Sequence, residues 1–177
     1  MVSGELYRAD DPELVGARAS ARALTWSYNA TPQDAEEERR ALLSELLAEV
    51  GPGAWIEPPF FCDYGWNISL GERAFLNFNC VVLDVAPVRI GALTKIGPAV
   101  QLCAATHPLA QAEREAGLEY GRPIEIGRNV WIGAAAVVGA GVTVGDGSVI
   151  GAGSVVVRDV PAGVLAAGVP CRVIREL

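Results

Sequence analysis

Six consecutive hexads between Ile126 and Pro161 constrain this chain more than any other feature. They begin Ile126-Gly127, Ile132-Gly133, Val138-Gly139, Val144-Gly145, Ile150-Gly151 and Val156-Val157, so a branched aliphatic recurs every sixth residue and glycine follows the first five. A period of six does not match the 3.6 residues of a helical turn, so no helical face could collect these side chains. In a parallel β-helix each hexad supplies one short strand and one corner. Its aliphatic points inward and stacks on the equivalent residue of the next coil. A membrane span is the competing reading, because Asn129 to Gly145 carries no charge. The regular glycine and polar interruptions argue against it, since a span needs about 20 mostly apolar residues.

The composition suits a narrow core with many corners. Hydrophobic residues make up 51% of the 177, yet aromatics are only 7% and there are 20 glycines. A net charge of −7 argues against a nucleic-acid surface. Lys95 is the single lysine, so any phosphate would be held by arginine and backbone amides. Cys62, Cys80, Cys103 and Cys171 form no C-x-x-C pair and read as reduced, buried residues. The N-terminus lacks the apolar stretch of a signal peptide, which predicts a cytoplasmic protein without membrane attachment.

Residues 1–53 read as a helical cap. Asp11-Pro12 is a helix start, followed by Leu14, Ala17, Ala21, Leu24 and Tyr28 at helical spacing, with Arg18 and Arg22 one turn apart. Thr31-Pro32 predicts a second start. Glu36, Glu37 and Glu38 lie early in that helix, Leu42, Leu43, Leu46, Leu47 and Val50 form its stripe, and Gly51-Pro52-Gly53 ends it.

Residues 54–177 read as the solenoid. The six-residue count runs through Leu70-Gly71, Leu76-Asn77 and Val82-Leu83, slips by two around Pro87, and resumes at Ile90-Gly91, Ile96-Gly97 and Leu102-Cys103. Ala74, Cys80, Ala86, Ala136 and Ser148 are small corner residues. The period fails from 104 to 125, which predicts an excursion loop, and residues 162–177 form a tail. Long loops in compact folds usually carry function. This one starts with the only histidine, His107, whose side chain suits general-base work near neutrality. One histidine cannot make the three-histidine zinc site of a metal-dependent solenoid hydratase, so no metal is expected.

Seven segments then carry a resemblance: Gly4-Glu5-Leu6-Tyr7-Arg8, Glu57-Pro58-Pro59, Cys62-Asp63-Tyr64-Gly65, Asn77-Phe78-Asn79, Thr106-His107-Pro108, Asn129-Val130-Trp131-Ile132-Gly133, and Ala167 to Ile174. In this order the chain resembles the maltose and galactoside O-acetyltransferases, a branch of the hexapeptide-repeat acyltransferases. The resemblance implies a mainly β, left-handed parallel β-helix that forms a homotrimer, with acetyl-CoA as co-substrate in the cleft between neighbouring solenoids. It implies that His107 is the catalytic base and that Asn77 binds the acceptor. Asp63 matches a polar acceptor contact. Asp84 lies beside another, where galactoside-type members have their acid one residue later and this chain has Val85. Their N-terminal acid aligns nearest Ala9, with Asp10 next to it. Both departures favour a glucose-type or an unknown sugar over a galactoside as acceptor. On the cofactor side the resemblance points to Ala134, Ala152, Val157 and Arg158, to Arg172 and Arg175 for phosphate, and to Trp131 along the pantetheine. A different acceptor (an amino sugar, a lipo-oligosaccharide or an antibiotic hydroxyl) and a non-catalytic trimeric binding module remain open alternatives.

Overall fold

The computed structural model describes all 177 residues. Its solenoid is a left-handed parallel β-helix of three-sided coils, each side one short strand paired in parallel with its counterpart in the next coil. Along one inner ladder Ile56, Leu76, Ile96, Ile132, Ile150 and Ala166 lie in register. All six are buried in a single core of 35 residues. Stacking of this kind contributes about 1.5–3 kcal/mol for each fully buried large aliphatic.

The glycine that follows each aliphatic has a steric cause. Gly91 lies so close to the coil above that a Cβ there would come within 2.5 Å of the Gly127 carbonyl. No side chain fits without separating the coils. The small corner residues are buried as the hexads predict: Ala74, Cys80, Ala86, Ala136 and Ser148 are each at most 1% exposed. Buried Thr94 links two coils, donating to the Gly127 carbonyl at 2.7 Å and accepting from the Val130 N–H at 3.0 Å.

Outward residues give the three faces different characters. The first presents Glu49, Ser69, Arg89, Glu125 and Thr143. The second presents Trp55, Phe75, Lys95, Trp131, Val149 and Leu165. The third presents Phe61, Val81, Gln101, Val137 and Val155. These are called below the charged, tryptophan and valine faces, in the order the chain visits them.

Helix α1 (Pro12–Asn29) and helix α2 (Glu36–Leu46) close the first coil. Asp11 caps α1 by accepting from the Glu13 N–H at 2.9 Å. Fully buried Tyr28 donates its hydroxyl to the Ile56 carbonyl. Asn29 satisfies both the N–H and the carbonyl of Phe60 at 2.8 Å, covering a strand edge. Helix α2 differs from the expectation at both ends. It starts four residues after Pro32, because the Thr31 side chain is taken by Tyr28 and Arg39. It stops at Leu46, because Glu49–Val50 already pairs with Ile68–Leu70 as the first solenoid strand. No helix is long and apolar enough to cross a membrane.

The excursion is an ordered hairpin. Ala105–Thr106 pairs antiparallel with Leu118–Gly121, and helix α3 (Gln111–Glu115) lies between them. The same Leu118–Gly121 strand pairs on its other side with Tyr7–Arg8. The N-terminal residues thus make the third strand of a small sheet, with no periodic signal to announce it. At the other end, Cys171–Glu176 folds back antiparallel on Val164–Gly168.

Candidate active site

Extra residues accumulate at one corner of the prism, where the valine face turns into the charged face. Eight residues separate the paired positions Cys62 and Leu70, and eight separate Val82 and Ile90. Leu102 and Ile126 are twenty-four apart, whereas Val138 and Val144 keep the plain six. Three successive coils therefore bulge at the same edge, and the third bulge is the hairpin that carries His107. The slip at Pro87 is the second of these; the first, at Cys62-Asp63-Tyr64-Gly65, escapes the hexad count because no earlier hexad sets its register.

The bulges and the cap enclose a cavity of about 330 Å³, lined by Ala9, Arg18, Arg22, Asp63, Tyr64, Leu83, Val85, Ala105, His107 and Glu119. Arg18 on α1 donates to the Tyr64 hydroxyl at 2.7 Å and to the Ala9 carbonyl at 2.6 Å, fixing the cap against the first bulge. Glu119 receives a hydrogen bond from the Tyr7 hydroxyl. Burial raises the Asp63 carboxyl above its ordinary range, an effect opposed by Arg18 and reinforced by Glu119. A second groove of about 400 Å³ shares Arg22, Asp63 and Leu83 with this cavity and continues past Trp26, Phe61 and Val81 along the valine face.

Of the acceptor-side residues expected from sequence, Asp63 lines the cavity with His107 and the others do not. Asp84 is fully buried beneath it. Its carboxylate accepts from the N–H groups of Asp63 (3.0 Å), Tyr64 (2.9 Å) and Asn67 (3.3 Å). This corrects its expected place: both oxygens hold the first bulge in shape and neither reaches the cavity. Burial pushes the Asp84 carboxyl up to about 6, partly offset by those N–H donors. Asp10 points to solvent and pairs with Arg8 at 2.7 Å, leaving Ala9 in the cavity wall. Asn77 sits on the opposite edge of the valine face, where its side-chain oxygen accepts from the Phe78 N–H at 2.8 Å.

The cofactor-side residues divide between the same two edges. Ala134 and Ala152 stack in successive coils above the Asn77 corner, linked by a 2.8 Å hydrogen bond from the Gly153 N–H to the Ala134 carbonyl. Trp131 projects from the tryptophan face and is 58% exposed. Val157 and Arg158 are on the His107 edge, near the far end. Arg158 and Arg172 line one cleft of about 130 Å³, in which neither forms a salt bridge. Arg175 lies along the tail strand opposite Leu165. Both edges are thus occupied, and the width of the valine face keeps them apart within one chain.

Arg18, Arg22, Tyr64 and Glu119 were given no site role from sequence. The one-turn spacing of the arginines, noted from sequence, places both on one face of α1 but does not say what that face meets. Glu119 shows no such signal, because its partner Tyr7 is 112 residues away.

Comparison with known proteins follows the same division. Residues 1–51 match the maltose acetyltransferase hexapeptide capping motif, and residues 123–158 match the bacterial transferase hexapeptide, six repeats. Nodulation protein L of Rhizobium meliloti (strain 1021) is 54% identical over 173 residues, covering 98% of this chain and 94% of the relative. This chain belongs to the maltose and galactoside O-acetyltransferase family. Two solved members of the family superpose on nearly its whole length. A maltose O-acetyltransferase from Clostridium difficile 630 has a TM-score of 0.98 at 43% identity, covering 99% of this chain and 94% of its own. A galactoside acetyltransferase in complex with coenzyme A has a TM-score of 0.95 at 44% identity, covering 98% and 87%. The two family models leave residues 52–122 unmatched, the hairpin included, and the full-length relatives extend the likeness through them.

Proposed function

We propose that the chain transfers an acetyl group from acetyl-CoA to a sugar hydroxyl, with His107 as general base. The observation that carries this reading is the cavity at the bulged edge, where the sole imidazole shares walls with Asp63, Glu119, Arg18 and Arg22. Its volume suits a single sugar ring. His107 takes the hydroxyl proton as the acceptor oxygen attacks the thioester carbonyl. As the C–S bond breaks, the imidazolium returns that proton to the CoA sulfur. The coenzyme A complex of a close relative in fold supports acetyl-CoA as donor. So do Arg158 and Arg172, neither of them in a salt bridge, whose planar forks fit phosphate. Ala134 and Ala152 offer a corner with little side chain, against which an extended pantetheine could lie.

The two edges are brought together by a trimer. If each valine face turns toward a three-fold axis, the His107 edge of one copy meets the Asn77 edge of the next. Asn77 then reaches the acceptor cavity of the neighbouring copy, and the cofactor cleft lies between Ala134 and Ala152 of one chain and Val157 and Arg158 of another. The outward residues support this arrangement, since the valine face carries no charge while the first face is charged. Ala9 and Val85 in the cavity wall favour a glucose-type acceptor over a galactoside.

A panel of glucosides, galactosides and amino sugars with acetyl-CoA tests the reading, scored by thiol release and product mass. His107→Ala should lower turnover by about two to four orders of magnitude while coenzyme A binding persists. Near-normal turnover in the variant would remove His107 from the chemistry, and silence of the wild type across the panel would remove the sugar acceptor.

A further inference from the structure

His107 stands on a hairpin that has little support of its own. The Ala104 N–H donates to the Leu83 carbonyl at 3.1 Å, and the Arg122 N–H donates to the Ala104 carbonyl at 3.0 Å, which closes the hairpin base on the solenoid. Beyond that base the two strands pair only at Ala105–Gly121 and Thr106–Tyr120. A two-stranded hairpin is marginal alone, and a third strand is what makes such a unit stable. Here the third strand is Tyr7–Arg8, on the outer edge of Leu118–Gly121. The register carries its support toward the imidazole. Thr106 is opposite Tyr120, so one further step sets His107 across from Glu119, whose other side is paired with Tyr7.

The side chains of the third strand reinforce this. The Tyr7 hydroxyl donates to the Glu119 carboxylate, and burial, reinforced by Glu119, raises the Tyr7 pKa so that it stays a donor. Arg8 donates from Nη1 to the Ala116 carbonyl at 3.0 Å, at the end of helix α3. Its Nε and Nη2 bond Asp10 at 2.9 Å and 2.7 Å, which holds the guanidinium in that direction. The strand is itself anchored to the cap. The Arg8 carbonyl accepts from the Asp11 N–H at 3.3 Å, and the Ala9 carbonyl accepts from Arg18 of α1 at 2.6 Å. Farther back, Gly4 and Leu6 share a cavity of about 350 Å³ with Pro108, Leu109 and Tyr120, so the segment also flanks the chain just after His107.

Resting on the acetyltransferase reading, we propose that Tyr7 and Arg8 are positioning residues: their strand straps the hairpin to the helical cap and so holds His107 at the cavity wall. Neither residue lines that cavity, so both act through the imidazole. A displacement of about 1 Å at a reacting group can cost roughly a hundredfold in rate. The first residues of the chain therefore contribute to turnover although they lie outside the solenoid.

The full-length wild type and the double variant Tyr7→Ala, Arg8→Ala are compared, with methyl glucoside and acetyl-CoA as substrates. The variant should lose roughly ten- to a hundredfold in kcat. Its KM for acetyl-CoA and its thermal midpoint should stay, because the solenoid ladders keep their own partners. Amide exchange should accelerate in residues 104–121 and not in the coils. His107 is the only histidine, so its ring gives a single NMR signal, which should shift or broaden in the variant. A reversible lock separates holding from any other effect. Arg8 and Leu118 are directly opposite, a spacing that a disulfide spans. Tyr7→Ala combined with Arg8→Cys and Leu118→Cys should be slow when reduced and recover most of the wild-type kcat when oxidised. Wild-type kcat in the double variant overturns the inference, as does an unaltered imidazole signal with unaltered hairpin exchange. A lock that forms without restoring kcat also overturns it. If the wild type releases no thiol with any sugar, the acetyltransferase reading fails, and the exchange and imidazole readouts still decide whether the strand holds His107.

Discussion

Cys103, four residues before His107, raises the question of a covalent acetyl-enzyme. Its thiol is half-buried, and burial, reinforced by Asp63, raises its pKa. A thiol held protonated is a poor nucleophile, which argues for direct transfer within a ternary complex. Cys103→Ala should keep at least about a tenth of wild-type activity, a loss of roughly 1.4 kcal/mol or less. Mass spectrometry of the enzyme with acetyl-CoA alone should find no acetyl adduct on Cys103; one that passes on to sugar would reject direct transfer. Asp84 makes a second prediction at this scale. Its folded-state pKa of about 6 lies above the ordinary aspartate value of about 4. The folded chain therefore binds this proton more tightly than the unfolded chain does. Between about pH 4 and pH 6 its contribution to stability falls as pH rises. Asp84→Asn keeps an acceptor for the Asp63 and Tyr64 N–H groups and removes the titration. Denaturant melts should show the deficit of the variant shrinking from pH 4.5 to pH 6.5. A deficit that grows with pH would mean that the ionised carboxylate stabilises the bulge.

Among the elements, the corner glycines divide into two kinds that the hexad pattern does not separate. A Cβ at Gly91 would strike backbone of the next coil, whereas Gly147, at φ +67°, has open space around it. Gly91→Ala should cost about 3 kcal/mol, the upper part of the usual overpacking range. Gly147→Ala should cost about 1–2 kcal/mol for a left-handed backbone alone. Equal losses in thermal or urea melts would refute the close-approach explanation. The same distinction explains what could be read in advance. Ladders such as Leu76 to Ile150 were legible because each coil repeats one local rule, and α1 was legible from Asp11-Pro12 and its stripe; Ala166, expected in the tail, belongs instead to a strand that pairs in parallel with Val149–Ile150. The register of the first bulge was not, since Asp63 to Asn67 are organised by a buried carboxylate about twenty residues away. Nor was the sheet that joins Tyr7–Arg8 to the hairpin, because two short strands separated by most of the chain share no period. The candidate site followed the same rule. His107 was visible as the only residue of its kind, whereas Glu119 reaches the cavity wall only through tertiary pairing.

For the whole molecule, the proposed trimer rests on the uncharged valine face. Sedimentation at decreasing concentration should show trimer and activity disappearing together; an active monomer would overturn the arrangement. Charge introduced at its centre by Val137→Glu should dissociate the trimer and lower turnover, with the solenoid core left folded by circular dichroism. In that assembly the chain lengthens at only one edge of the prism, whereas the edge bearing Asn77, Ala134 and Ala152 stays on the plain repeat. A solenoid tolerates insertion at a corner because the strands on either side keep their partners in the coils above and below. The cavity that holds His107 is thus free to change in length and composition, while Ala134 and Ala152 on the other edge are held to a fixed pitch by every coil around them, and Val157 and Arg158 share the His107 edge only beyond its bulged coils. Such a scaffold can acquire new acceptors without re-inventing its cofactor cleft, and variation within it is expected to concentrate along a single line of the surface.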